Sequence, residues 1–246
     1  MKVERARNFE SGTSMKRFYE ENGYVSISGL IPVDLISSIK EDLEYFFGDF
    51  DARVMELDST EAGKKELYSL HVATSKSISF RNLLSRFSNL VKTLGNDAPV
   101  LEIGSSYLLS IPRDQRLVYD FHQESNYMKG FCDIYNFHYP IFRKSTVKNG
   151  TMSALAGSHK LGKLPFHKRK SSTDSYTDLL PLNIEEMAKE FTEVFFELDP
   201  GDCVVFHADL IHRSNYNDTD HCRPVGIARL TQSIGGDWIN RSSDEL

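Results

Sequence analysis

The segment His122-Gln123-Glu124 sets an imidazole and a carboxylate two residues apart. On an extended chain residues i and i+2 point to the same side, so both groups can face one point in space. Two ligands so close in sequence cannot fill a coordination sphere, and a third must come from elsewhere in the chain. His212 is the leading candidate, because it follows a turn and an apolar run, Gly201-Asp-Cys-Val-Val-Phe-His-Ala-Asp-Leu-Ile211, that can return alongside the first pair. Two histidines and one carboxylate on one face of an octahedral ion leave three adjacent positions open. That arrangement suits Fe(II) chemistry in which a cosubstrate and O2 both bind the metal. A single HxE is common by chance, and His71, His138, His159, His167, His207 and His221 read as surface, core or supporting residues.

Arg223 lies eleven residues beyond His212. A turn between two antiparallel strands brings its guanidinium back towards the metal, where a buried arginine clamps a carboxylate through paired hydrogen bonds. The far carboxylate of 2-oxoglutarate fits such a clamp, with its keto-acid end on iron. Ser214, two residues past His212, can share that carboxylate. Arg229 is the competing clamp, six residues further along and on the same strand face if no bulge intervenes. The plainer reading of Arg223 is a surface salt bridge.

Elements must position these groups. Hydropathy spacing predicts helices over 14–22, 33–47 and 61–94, the last in two pieces, with Leu83, Leu84, Phe87, Leu90, Val91 and Leu94 as the clearest apolar stripe. Strands are predicted at 24–28, 100–111, 117–121, 130–139, 152–156, 191–198, 203–206 and 224–232, with a helical turn or two in 182–189. Residues 157–182 are polar and basic and read as a long loop. Helices first and many short strands afterwards predict an α+β protein, mainly β, whose second half is an antiparallel sandwich or barrel.

Composition narrows the classes. The chain has 246 residues, 40% hydrophobic and 11% aromatic, which supports one large domain with a substantial core rather than a disordered chain. A net charge of −6 argues against general nucleic-acid binding, and no apolar run reaches the ~20 residues of a membrane span. The charged N-terminus, residues 1–10, is no secretory signal. Cys132, Cys203 and Cys222 are odd in number, widely spaced and without a CxxC, so neither a disulfide framework nor a thiolate zinc site is indicated. A reducing cytoplasm is the simplest location.

Taken in order, several short motifs resemble the phytanoyl-CoA dioxygenase-like family of Fe(II)/2-oxoglutarate oxygenases. Phe18-Tyr-Glu-Glu-Asn-Gly-Tyr-Val25 with Gly29-Leu-Ile31 is similar to that family's opening helix and strand. Phe121-His-Gln-Glu124 stands where the family usually has His-Gln-Asp. Asn149-Gly150 and Gly157-Ser-His-Lys160 follow, then Pro200-Gly-Asp202, Phe206, His212-Arg-Ser214, Asn217 and Arg223. The likeness runs over roughly 15–232. It implies a double-stranded β-helix (a jelly-roll or cupin-like core) with flanking N-terminal helices, as one domain over 1–246: a helical part about 14–95, a core about 100–232 and a tail 233–246. It implies iron at His122, Glu124 and His212, and 2-oxoglutarate at Arg223 and Ser214. By position it also implies Gln123, Tyr107 and Tyr139 near the cosubstrate, Tyr139 standing where tryptophan is common. Glu124 is one methylene longer than the usual aspartate and argues against the related halogenases, which carry a small residue there. Ala156-Gly157 lacks the proline that often precedes that glycine.

The implied reaction consumes O2 and 2-oxoglutarate, releases succinate and CO2, and oxidises a small organic molecule, with hydroxylation the usual outcome. The basic stretch His159-Lys160, Lys163 and His167-Lys-Arg-Lys170 reads first as a solvated loop and second as an attractor for a phosphate, carboxylate or CoA ester. The tail carries the only tryptophan, Trp238, read either as a lid residue or as ordinary packing. Three other readings stay open at this point: a cupin-type metal enzyme that needs no 2-oxoglutarate, a jelly-roll binding module without catalysis, and a zinc hydrolase.

Overall fold

A computed structural model describes residues 2–5, 8–9, 14–47, 77–110, 112–113, 118–128, 130–131, 133–170, 177–221 and 223–232. The expected helical piece over 61–76, Cys132, Cys222 and the tail with Trp238 lie outside the described residues. The strands are β1 (Lys2–Arg5), β2 (Asn8–Phe9), β3 (Tyr24–Ile27), β4 (Val100–Ser110), β5 (Ile134–Pro140), β6 (Ser153–Leu155), β7 (Phe166–Lys170), β8 (Thr177–Pro181), β9 (Thr192–Phe195), β10 (Cys203–His207), β11 (His212–Arg213) and β12 (Arg223–Gln232). The helices are α1 (Ser14–Asn22), α2 (Val33–Phe47), α3 (Ile78–Leu94) and the short α4 (Ile184–Met187). Six strands form a major sheet in the order β2-β3-β10-β5-β12-β4, and four form a minor sheet in the order β1-β9-β6-β11. Pairing is antiparallel except β1 with β9 and β2 with β3. This is a double-stranded β-helix, mainly β, with helices on one side.

Strand alternation decides which side chains face which layer. On β5, Tyr135, Phe137 and Tyr139 face the helices and join a core with Leu83, Phe87, Leu90 and Val91 of α3. Phe87 stacks on Phe137 at 4.1 Å between ring centroids and meets Tyr139 edge-on at 5.6 Å. On β12, Ala228 and Leu230 belong to that same core. Their neighbours Arg223, Val225, Ile227 and Arg229, with Asn136 and His138 of β5, line a cavity between the sheets. Gly226 is needed where β12 crosses Tyr139, because a Cβ there would overlap the tyrosine ring. Gly226→Ala is expected to destabilise the fold by roughly 1–3 kcal/mol, as overpacking of a filled core does, read as a lower midpoint in urea unfolding.

Two expectations change. The stretch 157–182 is not a plain loop: after a turn of 3-10 helix (Ser158–Leu161), β7 and β8 pair as an antiparallel hairpin. Backbone register makes this pairing, and β7 is nearly all exposed, so its basic sequence shows no apolar alternation to read. Of the expected strand over 117–121, the described residues 118–121 form none: 118–120 have no regular structure, 121 is a bend, and His122 beyond them makes an isolated bridge to His212. The charged segment Lys2–Arg5 is an added edge strand on β9. Among the described residues, no helix is long and apolar enough to cross a membrane.

Candidate active site

His122 and His212 are cross-strand partners. The His122 N–H donates to the His212 carbonyl at 2.9 Å, and the His212 N–H donates back at 3.0 Å. A directly paired position puts both imidazoles on one face, and their ring centroids lie 4.2 Å apart. Gln123 is extended (φ −115°, ψ 133°), so Glu124 returns to the His122 side before the chain tightens into the turn Glu124–Asn126. Glu124 Oε2 is 3.9 Å from His122 Nε2 and 3.7 Å from His212 Nε2. The three ligand atoms lie within 4.8 Å of one another, and all three residues are buried.

Local hydrogen bonds set the imidazole tautomers. His122 Nδ1 meets the Asp120 carbonyl at 2.6 Å and His212 Nδ1 meets the Leu210 carbonyl at 2.9 Å. A carbonyl only accepts, so each Nδ1 carries a proton, which leaves each Nε2 as the nitrogen on the site side. Burial, reinforced by His122, pushes His212 down to about 3, which keeps it neutral. Burial alone would raise the Glu124 carboxyl, but the adjoining Arg229 guanidinium brings it down to about 2, which keeps it charged. Two imidazole nitrogens and one charged carboxylate oxygen, with the rest of the shared face open to the cavity, fit a ferrous ion.

Turns far apart in sequence hold these ligands. Ser158 Oγ accepts the Ile211 N–H at 2.9 Å, so the Gly157-Ser-His motif fixes the residue next to His212. Gly157 itself has φ +83°, a left-handed conformation that glycine adopts without strain. Arg169 on β7 bridges Asp120 at 2.9 Å and Asp178 at 3.0 Å, which ties the hairpin to the segment whose carbonyl orients His122. Tyr127, edge-on to His122 at 5.7 Å, accepts the Leu179 N–H at 2.9 Å and docks β8 on the same turn.

The cavity has a volume of about 490 Å³ and is lined by all three metal-facing residues together with Arg223 and Ser214. Arg223 is 4% exposed. Its guanidinium donates to the Asn149 carbonyl at 3.0 Å, the Gly150 carbonyl at 2.6 Å and Ser145 Oγ at 3.4 Å. The Asn149-Gly150 pair thus acts as the backing of Arg223. Arg229 shares the cavity but has another partner, Glu124, and is not a second clamp.

Three positions stand elsewhere than expected. Tyr107 and Tyr139 are on the helical face of the major sheet, inside the core with Phe87, because β4 and β5 turn Ser110, Asn136 and His138 to the cavity instead. Gln123 points away from its two neighbours. It donates to the carbonyls of Gly162 and Asp209 at 2.8 and 2.7 Å and accepts the Leu164 N–H at 2.8 Å, so it staples loops behind the site. The residues missed are Asn136 and His138. Both line the cavity, both are at least nine-tenths buried, and Asn136 Oδ1 and His138 Nε2 have no hydrogen-bond partner among the described residues. The polar-apolar alternation of 134–139 carried this signal, since the apolar members of that run belong to the core.

A jelly roll that brings two buried histidines and a carboxylate together in an inter-sheet cavity matches the pattern of a mononuclear non-haem iron oxygenase. Comparison with known proteins sharpens the class. The model of the family described as phytanoyl-CoA dioxygenase matches residues 19–225, and the chain belongs to that family. A phytanoyl-CoA dioxygenase of Arabidopsis thaliana is 22% identical over 258 residues, covering 90% of this chain and 89% of that protein. Among solved structures, EvdO2 from Micromonospora carbonacea var. aurantiaca, complexed with 2-oxoglutarate, superposes with a TM-score of 0.67 at 14% identity, covering 92% of each chain. SnoK, an α-ketoglutarate-dependent carbocyclase from nogalamycin biosynthesis, gives 0.67 at 18% identity over 91% of this chain and 85% of its own. The protein is an Fe(II)- and 2-oxoglutarate-dependent oxygenase.

Proposed function

We propose that His122, Glu124 and His212 hold the iron, that Arg223 and Ser214 hold the far carboxylate of 2-oxoglutarate, and that a small organic substrate is oxidised in the same cavity. The observation that carries this reading is the convergence of two imidazole Nε2 atoms and Glu124 Oε2 beside a buried, back-bonded arginine. Iron and the keto acid, when bound, supply the oxidising power: O2 and 2-oxoglutarate become succinate and CO2 as the substrate is oxidised. The chain's own residues aim and insulate. Asp120 and Leu210 keep both imidazoles in the ligating tautomer, and Arg223 fixes one end of the keto acid as a planar fork.

His138 is a third contact for the cosubstrate in this reading. Burial, with Arg223 and His212 nearby, pushes its imidazole down to about 3, so it is neutral and offers one N–H and one lone pair. It lines the same cavity as Arg223 and His212. His138→Phe is expected to raise the KM for 2-oxoglutarate by roughly 5- to 100-fold, the ~1–3 kcal/mol of an unmade buried hydrogen bond, with smaller change in metal affinity. Unaltered KM in a folded variant removes His138 from the site.

Substrate occupies the part of the cavity walled by Tyr127, Met128 and Thr177. Exposed His167 and Lys168 on β7 support an anionic group on that substrate, while Arg169 is already engaged by two aspartates. The buried free thiol of Cys203 suits a reducing compartment such as the cytoplasm. We read 1–246 as one catalytic domain. The test is direct: anaerobic Fe(II) with 2-oxoglutarate should give a visible charge-transfer band, and O2 should then release succinate, faster in the presence of the substrate identified by a metabolite screen. Iron-loaded protein that forms no band overturns the reading.

A further inference from the structure

We propose that Arg229 is a positioning residue that keeps Glu124 a one-oxygen ligand; this rests on the metal reading above. Its Nε and Nη2 both converge on the same carboxylate oxygen, Oε1, at 2.8 and 2.6 Å. The other oxygen, Oε2, is the one turned to the two imidazoles. This is not the common fork in which an arginine takes both oxygens of a carboxylate in parallel. Both donors use one edge of the guanidinium to occupy Oε1 and leave Oε2 available.

The physical need follows from the side chain. Carboxylates bind hard cations through one oxygen or two. Glutamate has one more torsion than aspartate and can swing to offer both. A second oxygen on the ion would consume one of the three adjacent positions that a chelating keto acid and O2 require. Arg229 makes that swing costly, because Oε1 would have to leave a charge-assisted hydrogen bond from Nε and the ion pair with Nη2. The backbone is built for it. Arg229 sits opposite Asn136 on β5, and the ladder with β4 shifts register immediately after it, between Arg229 and Leu230. Irregularities of that kind re-aim a side chain next to a site. A plain salt bridge that merely offsets the burial of Glu124 would need no such selectivity between the two oxygens.

The experiment counts waters on a bound probe ion, without turnover. Full-length wild type, Arg229→Met, Arg229→Gln and Arg229→Lys are loaded with Mn(II) in the absence of 2-oxoglutarate, and exchangeable water is counted by proton relaxation. Wild type should retain about three waters, the positions left by three protein ligands on a six-coordinate ion. Arg229→Met and Arg229→Gln should bind Mn(II) within about threefold of wild type and lose about one water. Arg229→Lys, which still donates to Oε1, should keep the wild-type count. Either neutral variant suffices if the other fails to fold. An unchanged water count in a folded neutral variant overturns the proposal, and so does loss of Mn(II) binding in a folded neutral variant, which would make Arg229 only a brace for Glu124. A His122→Ala control that binds Mn(II) as tightly as wild type would instead bring down the metal reading itself.

Discussion

His212→Ala is expected to abolish stoichiometric Fe(II) binding and with it all keto-acid-dependent turnover. The imidazole is 4% exposed, its Nδ1 is spent on the Leu210 carbonyl, and its Nε2 faces Glu124 Oε2 at 3.7 Å. Residues that merely orient a metal ligand are worth about 10–100-fold in affinity, so deleting the ligand exceeds that range. Its effect on the fold is small by comparison, because the backbone bridge to His122 uses no side-chain atom. The two effects separate in a thermal melt. Ferrous ion at a hundredfold excess over Kd stabilises a protein that binds it by ~2.7 kcal/mol, and this gain should vanish in His212→Ala while the metal-free midpoint stays near that of wild type. A variant that still binds one iron per chain and still releases succinate would remove His212 from the site.

Arg223→Ala carries the second large effect. Truncating one partner of a buried, hydrogen-bonded charge pair costs ~2–5 kcal/mol, so the KM for 2-oxoglutarate should rise from tens- to thousands-fold. Arg223→Lys should recover only part of this, since an ammonium is a point charge and cannot hold a carboxylate as a planar fork. Metal binding is the internal control and should not change, because the guanidinium's hydrogen bonds run to Asn149, Gly150 and Ser145. The variant also strips donors from the Asn149 and Gly150 carbonyls. A net hydrogen bond is worth ~1 kcal/mol, so assays belong well below the unfolding transition. Undiminished turnover in Arg223→Ala would favour a cupin-type enzyme that dispenses with the keto acid.

Legibility followed the range of the interaction. The helices over 14–22 and 33–47 were readable because their apolar spacing repeats within one element, and the structure has them at Ser14–Asn22 and Val33–Phe47. The stripe on α3 was readable for the same reason, with Leu83, Phe87, Leu90, Val91 and Leu94 buried. The hairpin β7–β8 was not, since an exposed basic strand has no apolar face to betray it. The family resemblance placed a cosubstrate contact at Tyr139, yet alternation alone sends Asn136 and His138 one way and Tyr139 the other.

What the sequence determined by itself was the local pair, since an extended His-Gln-Glu presents its first and third side chains together, while the order of helices and short strands pointed to an antiparallel sandwich or barrel around them. Tertiary structure decided everything that depends on register between distant strands. It set His212 opposite His122, turned His138 rather than Tyr139 into the cavity, and gave Arg229 to one oxygen of Glu124. The reason is physical: the period of a strand is two, so a one-residue shift in pairing exchanges the cavity face for the core face, and that shift is fixed by contacts between segments about a hundred residues apart.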